Sequence, residues 1–257
     1  MGRMIKTEFC KLKRYFIVWT GIALMLLNVL LTLFTSIAED GIIWDFLFLY
    51  EQVIKNLVTL IFPMCITLVT GYMIAREYTD GTLKNIAVVP VSSVRLLAGK
   101  LLVAGVLSLL FGFASFLFAT AAAFALQYDG LTLWVAFIGA AQMTLIAPLL
   151  FLVTLPIIVL MSRKPDQFLA GVIVSFVYGF VGMFAGGPLA CLYPVSAALG
   201  LINYRGYAAG VSWNVPLCAL SVAAVTTIGI ALMFVRPGAE THGGTADKKR
   251  VTRKKGW

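Results

Sequence analysis

Charged side chains are scarce in this chain: only 12% of its 257 residues are Asp, Glu, Lys or Arg. An ordinary soluble domain carries about 25%. Hydrophobic residues make up 61% of the chain, which is more apolar surface than a soluble domain of this length can bury. The composition therefore excludes a soluble globular protein and a disordered one, and it indicates a polytopic membrane protein.

Residues that bind metals or nucleotides are equally scarce. The chain has one histidine, His242, and its four cysteines form no C-x-x-C pair. Gly99-Lys100 is followed by Leu101 and no glycine stands at position 94, so the phosphate-binding P-loop pattern is absent. No H-E-x-x-H or G-x-S-x-G motif occurs either. We therefore expect no catalytic residue, no metal site and no cofactor in this chain, and we interpret the cysteines as small apolar residues.

The apolar runs themselves contain almost no ionisable residue. Lys55 and Glu77 are the deepest charges, and each lies near the end of a run. Because a charge inside a membrane is costly and marks function, this scarcity argues against a membrane-embedded enzyme and against a proton-coupled carrier. An amphipathic or hydrophobic substrate fits such a path better.

The remaining pattern predicts an all-α protein with six transmembrane helices, since a span needs about 20 residues. A single transmembrane domain covers residues 1–235, and a basic tail covers 236–257. The six spans are expected at about 15–36, 53–75, 101–126, 133–161, 167–185 and 213–235.

The distribution of positive charge predicts the orientation. If the N-terminus lies inside, only Lys55 and Arg205 of the 20 Lys and Arg residues fall outside. Cytoplasmic loops carry an excess of Lys and Arg, so both termini are expected in the cytoplasm. The acidic segment 37–52 then lies outside, where its aromatic residues would form an interfacial belt.

Three further features accompany the spans. Residues 1–14 predict an amphipathic helix on the inner membrane surface, and the less favoured alternative is that they are only the basic flank of the first span. Pro148 and Pro156 predict a kink in the fourth span. Residues 186–212, broken by Gly186-Gly187-Pro188, predict a re-entrant or interfacial helix pair before the sixth span. The tail could touch anionic lipid or serve only as a stop-transfer segment.

The longest internal polar connection is residues 76–100. Thr79 or Asp80 can cap a helix start, Leu83 and Ile86 would share one face, and Pro90 would end the helix. We call the segment between Thr79 and Pro90 the coupling helix. It would lie on the cytoplasmic surface between spans two and three, where a soluble partner could grip it and move both spans.

The residues of this connection carry a family resemblance. The run E-Y-x-x-G-T-L-K begins at Glu77 and is followed by P-V-S-x-x-R and by G-K, while the N-terminal run E-F-x-K-L-K-R-Y begins at Glu8. Together they resemble type-2 ABC exporter permeases, in particular the small permeases of lantibiotic and bacitracin export and immunity systems. The resemblance extends over the whole chain.

The resemblance implies an ATP-driven exporter of a peptide antibiotic, in the plasma or inner membrane of a bacterium. ATP and Mg would be bound by a separate ABC ATP-binding subunit, and a second permease, identical or similar, would complete the pair. Nucleic acid is not an expected partner; membrane lipid is. The residues implied in ATPase docking are Glu77, Asp80, Gly81, Thr82, Leu83 and Lys84.

Within that set, Glu77 would fix the angle of the coupling helix, Gly81 would allow close approach of the partner backbone, and Leu83 would be the apolar anchor. Lys84 would be a rim charge or simply a solvated cytoplasmic charge. Two other function classes remain open at this point. One is a membrane anchor or immunity protein that sequesters its ligand without ATP, and the other, less favoured, is a membrane enzyme.

Overall fold

The computed structural model describes residues 8–9, 11–12, 16–37, 44–79, 93–164, 167–204 and 212–235. All regular structure in these residues is helical. The helices are α1 (Ile17–Ser36), α2 (Phe46–Asn56), α3 (Phe62–Thr79), α4 (Ser93–Ala125), α5 (Leu133–Met161), α6 (Phe168–Val181), α7 (Pro188–Leu192), α8 (Pro194–Leu201) and α9 (Val215–Phe234). A π-helical turn, Leu57–Ile61, joins α2 to α3.

Five helices of the described chain are long and apolar enough to cross a membrane. They are Ile17–Ser36, Phe46–Glu77, Val94–Ala125, Leu133–Met161 and Val215–Phe234. The segment expected as the fifth of six spans, 167–185, contains a shorter apolar helix, Phe168–Phe184, whose last turn is a 3₁₀ turn. The all-helical, multi-span architecture is thus confirmed, while the count of six spans stays a prediction.

The second membrane helix differs most from its expected bounds of 53–75. It begins at Phe46, because the Asp45 side chain caps it by accepting a 2.7 Å hydrogen bond from the Phe48 backbone N–H. Phe46 and Tyr50 then point into the protein, with ring centroids 4.8 Å apart and exposures of 1% and 2%. These aromatic rings pack in the core and do not form the interfacial belt expected from the sequence.

Other boundaries follow from similar local causes. Thr132 caps α5 and Asn214 caps α9, each accepting from the N–H group three residues later. Both prolines inside α5 are retained in one continuous helix. The helix pair expected within 186–212 is present as α7 and α8, each beginning at a proline, with Gly187 at φ +57° before the first.

Contacts between distant segments define two ends of the helix bundle. At one end, the Phe46 N–H donates to the Asp129 carbonyl at 3.0 Å, and the Tyr204 hydroxyl donates to the Glu51 carbonyl at 3.0 Å. We call this the acidic end after its described carboxylates Asp45, Glu51 and Asp129. The opposite end, the basic end, holds the described residues Lys11, Arg76, Arg95, Lys100, Arg163 and Lys164.

Candidate functional site

Four charged side chains meet at the basic end and form what we call the four-charge cluster: Glu8, Lys11, Glu77 and Lys100. Glu8 and Lys11 lie one helical turn apart in the N-terminal segment. Glu77 lies in the last turn of α3, and Lys100 lies two turns inside α4. The cluster therefore ties together three separate parts of the chain.

The four ionic contacts of this cluster are short. The Lys11 Nζ lies 2.7 Å from Glu77 Oε1 and 2.9 Å from Glu8 Oε1. The Lys100 Nζ lies 2.8 Å from Glu77 Oε1 and 3.1 Å from Glu8 Oε2. Each ammonium therefore touches both carboxylates and each carboxylate touches both ammonium groups, so the four contacts make a closed ring with no net charge.

Most of the ring is shielded from water. The side chains of Lys100, Glu77 and Glu8 are 6%, 8% and 13% exposed, while Lys11 is 35% exposed. Lys100 also donates to the Met73 carbonyl at 3.4 Å. Charges this buried persist only when each has a partner, because removing one partner leaves an uncompensated buried charge. Each of the four charges is consequently needed to compensate the others. Because the ring holds the N-terminal segment, α3 and α4 together, we also call it the clamp.

The pKa of Lys11 reflects this arrangement. Burial lowers the pKa of Lys11, but the hydrogen bonds that it donates to Glu77 and Glu8, together with their negative charges, raise it well above its usual value. Lys11 therefore stays protonated at neutral pH. Its stabilising contribution is complete below its ordinary pKa and is lost only as the pH rises through the higher, folded-state value.

The clamp encloses the connection in which the docking residues were predicted. Glu77 precedes residues 80–92 and Lys100 follows them, so the ring closes the base of that connection. Of the predicted docking residues, only Glu77 is described. Asp80, Gly81, Thr82, Leu83 and Lys84, and the coupling helix itself, lie outside the described residues, as does the tail 236–257.

Sequence reasoning missed three members of the ring. Lys100 was placed in a loop, yet α4 begins at Ser93, and no proline interrupts the residues between Ser93 and Lys100. This proline-free run, with Val94, Leu97 and Leu101 at helical spacing, was the available signal. Glu8 was the one acid among the basic residues of the N-terminal segment, which hinted at an internal partner for a base.

The described residues offer no candidate metal site. They contain no group of three or more His, Cys, Asp or Glu side chains that could hold a metal ion. Cys65, Cys191 and Cys218 are buried free thiols, as expected of small apolar residues. What the basic end offers instead is mechanical: a buried ionic clamp that joins the N-terminal segment, α3 and α4.

An all-helical bundle with five helices long and apolar enough to cross a membrane is the architecture of a multi-pass membrane protein, and the family comparison gives its class. Residues 4–182 match the family described as ABC-2 family transporter protein, and the chain belongs to that family. It is therefore a permease of an ABC transporter, a multi-pass protein of the bacterial membrane, and ATP hydrolysis belongs to a separate ATP-binding subunit.

A more particular similarity points in the same direction. The chain is 29% identical over 182 residues to the bacitracin transport permease protein of Bacillus licheniformis, an alignment that covers 65% of this chain and 79% of that protein. The expected resemblance to type-2 permeases of bacitracin systems is thereby confirmed. So is the expectation that the chain is a transporter subunit and not an enzyme.

Proposed function

We propose that this chain is the permease of an ATP-driven exporter, with six spans and both termini in the cytoplasm. Two kinds of observation support this orientation. All of the described Lys and Arg residues except Lys55 lie at the basic end, which agrees with the positive-inside tendency. The short apolar helix Phe168–Phe184 also packs antiparallel to α3, with Phe168 beside Gly71 and Gly179 beside Pro63, and in this proposal it is the sixth crossing.

The four-charge cluster is the observation that carries the mechanism. A coupling helix between Thr79 and Pro90 would be anchored at both of its flanks by Glu77 and Lys100, which share a 2.8 Å ionic contact. A push from an ATP-binding subunit against Leu83 and its neighbours Asp80, Gly81, Thr82 and Lys84 would then move α3 and α4 together. ATP and Mg belong to that partner subunit in this proposal.

The clamp also brings the N-terminal segment into the same movement. Lys11 and Glu8 contact Glu77 and Lys100 directly, and Leu12 is 6% exposed. The N-terminal segment thus packs on the protein at the level where the membrane surface would lie. Its displacement would accompany that of the coupling helix.

The substrate class follows from the relative. The similar protein is named for bacitracin transport, and we propose that this chain moves an amphipathic peptide antibiotic outward, for export or self-protection. A permease of this size would work beside a second permease, identical or similar, so that two faces enclose the path.

Docking can be tested with one substitution and a matched control. The tagged chain is co-purified with its ATP-binding subunit from mild detergent. Leu83→Asp is expected to reduce co-purification by at least about tenfold, because a charge replaces the apolar anchor. Leu133→Asp, at a 94% exposed leucine of the acidic end, is expected to leave co-purification unchanged.

Equal recovery of the ATP-binding subunit with both variants would contradict the docking assignment. Recovery of the wild-type chain without any ATP-binding subunit, in several detergents, would instead favour a protein that sequesters its ligand without ATP.

A further inference from the structure

The helix formed by α2, the π-helical turn and α3 is the most buried of the five long membrane helices. In its most apolar stretch, 78% of the residues are buried inside the protein. One narrow side of it nevertheless stays accessible. The partly exposed positions recur about every four residues from Gln52 to Arg76. We call this side the open stripe, and its central members are Gln52, Lys55, Asn56, Leu60, Met64 and Leu68.

The π-helical turn keeps the two halves of the open stripe on the same side of the helix. A π turn contains one extra residue, which at 3.6 residues per turn corresponds to about 100° of rotation. Thr59 and Ile61 of the turn are buried, while Asn56 before it and Met64 after it are both partly exposed. The turn therefore joins a polar half of the stripe to an apolar half on the same side of the helix.

The open stripe lies in the gap between α1 and α6. The thiol of Cys65 reaches the Gly21 carbonyl of α1 at 4.0 Å, and the Thr67 hydroxyl lies 2.7 Å from that of Ser175 on α6. Seen down the axis of α3, Met64 lies between Cys65, which faces α1, and Thr67, which faces α6. It is about 100° from Cys65 and about 60° from Thr67 around the helix. Both walls of the gap are therefore supplied by this chain.

A positive charge marks the polar half of the stripe. Lys55 lies nine residues beyond Phe46, about 14 Å along the helix axis from the acidic end. Its exposure is intermediate, and within the described part of the chain its ammonium group forms no ion pair or hydrogen bond. Elsewhere in the bundle, the ammonium groups of Lys11 and Lys100 each contact two carboxylates. An ammonium inside a membrane helix is costly unless it meets an anion.

Two polar side chains near Lys55 already donate hydrogen bonds to other groups of the protein. Asn56 donates its amide to the Thr32 hydroxyl at 2.9 Å, and Asn28 donates to the Val53 carbonyl at 3.1 Å. From Leu60 in the π-helical turn onwards, the central members of the stripe are apolar: Leu60, Met64 and Leu68. The stripe thus places one cation directly beside an apolar track, which complements a molecule with an anionic group on an apolar body.

We propose that the open stripe is the substrate track of the permease and that Lys55 selects amphiphiles carrying a phosphate or carboxylate. The inference rests on the proposed function and narrows its substrate class. The anionic group pairs with the Lys55 ammonium, and the apolar body lies along Leu60, Met64 and Leu68 between α1 and α6. Gln52 supplies a further polar group one turn from Lys55.

The test uses the purified full chain in phosphatidylcholine nanodiscs, without any ATP-binding subunit. Hexadecyl phosphate with a diazirine in its chain is the probe, and hexadecyltrimethylammonium with the same diazirine is its cationic counterpart. After illumination, labelled peptides are mapped by mass spectrometry. We expect the phosphate probe to label the stretch from Leu60 to Leu68 at least about tenfold more than the cationic probe, as one charge-assisted contact predicts.

Three variants sharpen the result. Lys55→Gln is expected to abolish the preference for the phosphate probe, while Lys55→Arg retains the charge and is expected to keep it. Lys164→Gln, the same substitution at an exposed lysine of the basic end, is the matched control and is expected to change nothing. The wild-type preference and the arginine variant keep the test decisive even if Lys55→Gln folds poorly.

Four labelling results would overturn the proposal. They are equal labelling by both probes, labelling confined to other helices, competition by inorganic phosphate alone, and displacement of the probe by phosphatidylglycerol in proportion to its content in the disc. Displacement by phosphatidylglycerol would mean that the stripe contacts ordinary membrane lipid and does not select a substrate. Cross-links between two copies at Met64 in place of probe labelling would make the stripe a dimer interface and would also overturn it. None of these outcomes affects the docking experiment, which can fail or succeed independently.

Discussion

The two ends of the helix bundle are held together by different chemistry. At the basic end, three parts of the chain meet through four charges in one ring. At the acidic end, the described contacts between separate segments include neutral hydrogen bonds, such as the one that Trp213 Nε1 donates to the Tyr204 carbonyl at 2.7 Å, together with aromatic packing around Phe46 and Tyr50. Losing one of these neutral contacts leaves no buried charge without its counter-charge, whereas the ionic contacts are mutually dependent.

This difference has a mechanical consequence. Losing one of several independent hydrogen bonds costs about 1 kcal/mol and leaves the rest in place. Losing one member of a buried ionic ring affects all of the segments that it joins. The basic end is therefore suited to passing a displacement from one segment to the next, and the acidic end is suited to holding its segments still.

The largest effect is expected from breaking the ionic ring. Lys100→Met leaves Glu77 and Glu8 with one cation between them, at a cost of about 3–5 kcal/mol. The variant should show a markedly lower unfolding midpoint in detergent and no export activity in cells. Thermal unfolding of the purified chain and a substrate-resistance assay measure the two effects.

A double variant separates stability from coupling in the same ring. Glu77→Gln combined with Lys100→Met removes one charge of each sign and keeps the contact between Glu8 and Lys11, so most of the lost stability should return. Export should stay impaired, because the direct tie between α3 and α4 is gone. Recovery of full export by the double variant would refute the coupling role of the ring.

A smaller effect is expected between the two ends, where α6 crosses the π-helical turn. A Cβ atom at Gly179 would lie 2.8 Å from the Thr59 carbonyl oxygen and 2.9 Å from Pro63. The Thr59 carbonyl receives no helical hydrogen bond from position 63, because Pro63 has no N–H. This carbonyl instead faces α6 at Gly179, where there is no side chain to collide with it. Gly179→Ala should destabilise the protein by about 1–3 kcal/mol through overpacking.

Gly99 provides the matched control for that substitution. A Cβ atom there meets nothing within 4 Å, and Gly99 lies inside α4. Gly99→Ala should therefore leave stability unchanged or raise it by about 0.5–1 kcal/mol, since alanine is the better helix former. Equal destabilisation by both substitutions, measured by thermal unfolding, would show that the close approach of α6 to the turn is not what matters.

The smallest effect is expected at the acidic end. Tyr204→Phe removes the hydroxyl that donates to the Glu51 carbonyl at 3.0 Å and keeps the aromatic ring of the side chain. The loss should be about 1 kcal/mol of stability, with export unchanged. The same thermal and resistance assays apply, and a loss of export as large as that of Lys100→Met would remove the distinction between the two ends.

Much of this architecture could be predicted from the sequence because it is local. Long apolar runs identify membrane helices, and the proline-rich interruption at Pro188 and Pro194 identified the short helix pair. The start of the second helix was less accessible. Its cap at Asp45 and the burial of Phe46 depend on how the aromatic segment packs, not on its composition.

The ionic ring could not be found in this way. Its contacts join residues 66 and 92 positions apart, Lys11 with Glu77 and Glu8 with Lys100, and no periodic pattern relates such distant positions. The resemblance did single out Glu77. What it could not supply was the partner of Glu77, because that depends on α4 beginning early enough to bring Lys100 inside the bundle.

The most direct test of the account compares the two ends in one assembled transporter. Proteoliposomes containing the permease and its ATP-binding subunit would be used to measure ATP hydrolysis and substrate export together for wild type, Lys100→Met and Tyr204→Phe. We expect the transporter that contains Lys100→Met to hydrolyse ATP with little export, while the one that contains Tyr204→Phe keeps the wild-type ratio of export to hydrolysis. An unchanged ratio in Lys100→Met would contradict the claim that the ionic ring carries the movement.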